Sequence, residues 1–103
     1  MRILIDSPAG EVSQALRRLD QYFSDSGFRI KNGIWVYSTK GNDFAVATIV
    51  RPVYNNSSLE LEVRRPARIG CVHFGLNGDF SDADLLLFGI PSAVGYSCEF
   101  KEG

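Results

Sequence analysis

A chain of 103 residues, 45% apolar and 22% charged, can form one domain with a single modest core and is too apolar to be disordered. Its net charge of -1 and pI near 5.7 argue against a strong general affinity for nucleic acid or anionic membranes, while leaving room for a local basic patch. No apolar run approaches the ~20 residues of a membrane helix, and residues 1–6 lack the long apolar stretch of a secretory signal, so the chain reads as one cytoplasmic domain over 1–103.

The chain opens on a short strand, Ile3-Leu4-Ile5. Ser7 is placed to cap a helix, with Pro8 at the first helical position, where its missing N–H costs nothing. Val12, Ala15, Leu16, Leu19, Tyr22 and Phe23 recur at three- and four-residue spacing, with Glu11, Gln14, Arg17, Arg18, Gln21 and Asp25 between them. That pattern predicts an amphipathic helix over residues 8–25, stopped by Gly27 in a left-handed cap.

Residues 28–76 predict an antiparallel meander of about five strands, near 28–31, 34–39, 43–51, 58–65 and 69–76. Asn32-Gly33 suits a two-residue type I′ turn, which sets Ile30 opposite Trp35 and Phe28 opposite Tyr37. The next turn closes on Lys40-Gly41 or on Gly41-Asn42. Either choice keeps Trp35 and Tyr37 on one face with Phe44, Val46, Thr48 and Val50. A turn at Asn55-Asn56 sets Val50 opposite Leu61, Thr48 opposite Val63 and Arg51 opposite Glu60. A turn at Pro66-Ala67 then sets Val72 opposite Leu61 and Phe74 opposite Leu59. All four turns place the large apolar side chains on the same face.

Further on, Ser81 and Asp84 stand in capping-box spacing, and residues 82–88 favour a short helix over an extended run, ended by Gly89 and Pro91. Val94, Tyr96, Cys98 and Phe100 alternate as a last strand. The expected fold is α+β: a meander with helix 8–25 packed on its apolar face and short strands at both ends. Five strands span about 20 Å, and one helix is only about 10–12 Å across. Residues 85–90, or a second copy of the chain, must cover the remainder.

The opposite face carries the candidate binding residues Arg29, Lys31, Ile34, Val36, Ile49, Arg51, Glu60, Glu62 and Arg64, together with Ala45, Ala47, Ile69, Cys71 and His73. An apolar centre with a charged rim is how protein interfaces are commonly built. The competing reading is that residues 82–88 cover this centre from within. Arg51, Arg64, Arg65 and Arg68 form a basic group that suits phosphate. Sheet-surface readers of RNA also need exposed aromatics, and here Trp35 and Tyr37 point to the core.

Little in the chain points to catalysis. His73 is the only histidine, and a pair of it with Cys71 or Cys98 lacks any visible third group to orient the base. Asp79, Asp82 and Asp84 miss the alternate-ligand pattern of a calcium loop and read as helix-start acids. No zinc spacing or phosphate loop occurs, so no metal or cofactor is expected. The two cysteines read as reduced residues of a cytosolic protein. The chain therefore reads as a non-catalytic protein that binds and inhibits or regulates another protein, as inhibitors, immunity factors and adaptors of this size do. A nucleic-acid-binding regulator using the arginine group, and a small enzyme using His73 with a cysteine, are the alternatives.

Overall fold

A computed structural model of the protein describes residues 1–41, 44–64 and 79–102, with side chains everywhere except at 39–41, 44–46 and 79–82. In chain order the elements are strand β1 (Arg2–Ile5), a 3-10 turn (Ala9–Glu11), helix α1 (Val12–Asp25), strands β2 (Arg29–Lys31), β3 (Ile34–Gly41), β4 (Phe44–Tyr54) and β5 (Leu59–Arg64), helices α2 (Asp79–Phe88) and α3 (Ile90–Val94), and strand β6 (Cys98–Lys101). Among the described residues the strands make one antiparallel sheet in the order β2-β3-β4-β5-β1-β6. The class is α+β, as expected, with the meander β2 to β5 at its heart. The proposed strand at 69–76 lies outside the described residues.

The Asn32-Gly33 turn forms with φ of 53° and 76°, and Ile30 pairs with Trp35. Phe28 and Tyr37 stack with ring centroids 5.1 Å apart. Gly27 takes the left-handed conformation that ends α1, with φ of 96°.

Three registers differ from expectation. Gly41 pairs with Phe44, so the partners of β3 on β4 lie four residues beyond those set by a Lys40-Gly41 turn and two beyond those set by a Gly41-Asn42 turn. Val50 faces Val63, and Arg51 faces Glu62 rather than Glu60. The loop behind that shift spans residues 55–58. The Asn55 Oδ1 accepts from the backbone N–H of Ser57 and Ser58 at 2.8 and 3.0 Å, which organises a four-residue connection. Thirdly, Ile3 rather than Val72 lies opposite Leu61, because β1 occupies that edge of β5. Each loop change is an even step, so no side chain changes face.

The helices also depart in detail. Ser7 caps nothing: its Oγ is buried without a hydrogen-bond partner, and Pro8 precedes a 3-10 turn closed by the Glu11 N–H on the Pro8 carbonyl. Residues 82–88 are helical, but α2 begins at Asp79, so Ser81 stands inside it. Val94 is a buried residue of α3, not of the last strand, because the Ile90-Pro91 step restarts a helix with Pro in its first turn.

Phe23, Leu19, Ala15 and Val12 of α1 bury against Ile3, Leu59, Leu61, Val50 and Trp35. Leu87, Ile90 and Val94 join that same core, so residues 85–90 cover part of the apolar face that α1 leaves open, while Ile30 and Tyr54 at its end stay exposed. The Tyr22 hydroxyl donates to the Leu86 carbonyl at 2.7 Å and ties α1 to α2. Across from them the Arg18 Nη1 donates to the Val94 carbonyl at 2.9 Å.

Gly89 makes this junction possible. A Cβ there would sit 2.5 Å from the Tyr22 hydroxyl, which is held in place by its bond to Leu86. Gly89→Ala is expected to destabilise by about 1–2 kcal/mol, as overpacking does. The same change in a Tyr22→Phe background removes the clash and is expected to cost less than half as much. Urea unfolding of the four proteins as a double-mutant cycle reads the difference.

Candidate binding face

Strand alternation sends Trp35, Thr48, Val50, Leu61 and Ile3 to the helices and their neighbours to the opposite side. The structure brings all nine sequence-predicted residues onto that opposite side. Their order across the strands is regular. Arg29 pairs with Val36, Val36 with Ile49, and Ile49 with Arg64, so one row crosses four strands as Arg-Val-Ile-Arg. A second row runs from Arg51 through Glu62 and Arg2 to Lys101, and a third from Val53 through Glu60 and Leu4 to Glu99.

The first row is apolar at its centre and cationic at both ends. Val36 and Ile49 are half-buried, whereas Arg29, Lys31 and Arg64 are exposed. A depression of about 490 Å³ lies beside Ile49, lined also by Ile34, Arg51, Glu62 and Arg64. Another, of about 420 Å³, lies beside Val36, lined by Arg29, Lys31 and Ser38. Hot-spot side chains of a partner commonly seat in such hollows.

The carboxylates of this face are already engaged. Glu62 pairs with Arg51 at 2.8 Å, Glu60 with Arg2 at 3.3 Å, and Glu99 with Lys101 at 3.8 Å. Among the described residues, Arg29, Lys31 and Arg64 have no such anion. Among the described residues the charge left over on the face is therefore positive, although the chain as a whole carries -1. Exposed pairs of this kind add little stability.

Residues 82–88 do not cover this face. The buried side chain of Leu87 lies in the core on the other side of the sheet, and the backbone at Leu86 is bonded to Tyr22 of α1. The reading in which they seal the apolar centre from within is corrected accordingly. Sequence reasoning missed Arg2, Leu4 and Val53, which extend the face across β1 and the end of β4. Only the pairing of β1 between β5 and β6 reveals the first two.

The catalytic candidates His73 and Cys71, and Arg65 and Arg68 of the basic group, lie outside the described residues. Burial and the Asp6 carboxylate push the Cys98 thiol up to about 11, so it is protonated at neutral pH and weak as a nucleophile. Among the described residues no three histidine, cysteine or carboxylate side chains gather to hold a metal ion. Nor is any helix among them long and apolar enough to cross a membrane. The chain shows no significant match to a protein family, a curated protein or a solved structure.

Proposed function

We propose that this chain is a non-catalytic intracellular protein that binds another protein through the open face of its sheet and thereby inhibits or regulates it. The row Arg29–Val36–Ile49–Arg64 carries the reading: an apolar pair between arginines whose charges no described carboxylate neutralises. Such a row fits a partner surface in which an apolar side chain projects between aspartates or glutamates. The arginine forks match those carboxylates, and Val36 with Ile49 supplies the dry centre. A nucleic-acid partner is less well supported, because Arg51 is already paired with Glu62 and the described part of the face shows no aromatic side chain for bases to stack on.

The test uses the native host as the source of partners. Immobilised wild-type protein is compared with folded Ile49→Asp and Val36→Asp variants in a pull-down at physiological salt. A partner retained by the wild type and lost from both variants is the expected result. Equal retention by all three removes this face from the interaction. Retention on a polyanion column that falls steeply with salt and is lost in Arg64→Ala would favour nucleic acid instead.

A further inference from the structure

A groove runs beside α1 at the end of the sheet where the Asn32-Gly33 turn lies. Two openings form it, of about 580 and 470 Å³, which meet at Leu16 and Tyr54. One bank is α1, where Leu16 and Asp20 stand four residues apart and so lie on one side of the helix. The other bank is Ile30 and Tyr54, which are 56% and 58% exposed despite their size. Both opening volumes fall in the range typical of ligand sites.

At its floor is Trp35, only 5% exposed, with its buried indole N–H beside the Asp20 carboxylate. Asp20 is its neighbour. Burial raises the Asp20 carboxyl above the ordinary range, and the adjacent Trp35 indole draws it partly back. Among the described residues Asp20 forms no ion pair. The groove therefore offers a carboxylate that no described cation neutralises and two exposed apolar side chains within one site.

We propose that this groove binds an extended segment of a partner protein that carries a lysine or arginine next to an apolar side chain. The cation of the segment neutralises Asp20, and its apolar side chain covers Ile30 and Tyr54. The dimensions agree. From Val12 to Asp20 the helical rise is about 12 Å, which about four extended residues span. The inference extends the protein-binding reading to a site at the flank of α1, with a charge requirement opposite to that of the sheet face.

The chain holds one tryptophan, so its indole N–H gives a single resonance, placed at the floor of this groove. The probe is a pool of blocked hexapeptides joining Leu, Ile or Val to Lys or Arg, against a control pool with Glu in place of the cation. A saturable shift of the Trp35 indole resonance with the first pool only is expected. Asp20→Asn should weaken it about tenfold, and Ile49→Asp should leave it unchanged. Tyr54→Ala, at an exposed position, gives a second variant that should also weaken it. No saturable shift, an equal response to the Glu pool, or undiminished binding by Asp20→Asn and Tyr54→Ala would overturn the proposal. Loss of pull-down by Ile49→Asp without any indole shift would leave the sheet face standing and this groove refuted.

Discussion

Replacing Val50 with aspartate is expected to unfold the protein at neutral pH. Val50 is fully buried between its pairing partners Trp35 and Val63, under α1. An unpaired carboxylate placed there loses its hydration with no cation in the surrounding apolar cluster to replace it. The effective penalty is several kcal/mol, added to the ~1.5–3 kcal/mol lost with the valine side chain. Domains of this size hold only about 5–15 kcal/mol in total. Far-UV circular dichroism at pH 7 should therefore show a largely unfolded chain. Native-like ellipticity with an unchanged urea midpoint would mean that Val50 does not face the helices.

Truncating Phe23 to alanine should cost about 3–5 kcal/mol, the usual range for a large aromatic in a packed core. Phe23 is fully buried and joins three other rings, with centroids at 4.3 Å to Phe28, 5.7 Å to Trp35 and 5.9 Å to Tyr22. It sits in the last turn of α1, so its loss undoes both the docking of the helix and the packing of the first hairpin. Calorimetry should record a fall in melting temperature of roughly 15 °C or more. A fall of only a few degrees would show that α1 contributes little to holding the sheet.

The face assignment was legible because it depends on parity alone. At Asn55 the connection has four residues where two were expected, and the β3–β4 register lies two or four residues beyond the expected turns. Even steps like these move partners along a strand without turning any side chain over. Trp35, Val50 and Leu61 are therefore found together, and so are Val36, Ile49 and Arg64. The left-handed residues Gly27, Asn32 and Gly33 announce themselves for a steric reason that acts locally.

The place of β1 was hidden because its pairing is not local. Ile3 and Leu61 are far apart in sequence, and a three-residue apolar run has no periodicity that names its partner. The groove was hidden for a different reason. It depends on where α1 lies across the sheet, so Ile30, Tyr54 and Asp20, remote in sequence, become one site only after packing. Ser7 looked like a cap because its residue type is right for one. The 3-10 turn entered at Pro8 leaves its hydroxyl without a backbone donor to receive.

Ile49 and Val50 are adjacent in the chain and on opposite sides of the sheet, which makes them a direct control for each other. Urea unfolding of Ile49→Asp and Val50→Asp, followed by the fluorescence of the single tryptophan, should separate them completely. Ile49→Asp should lose about 1 kcal/mol, the scale of strand-surface substitutions, and keep a cooperative transition, while Val50→Asp shows none. Equal damage from the two substitutions would contradict an open sheet face and remove the basis for binding there.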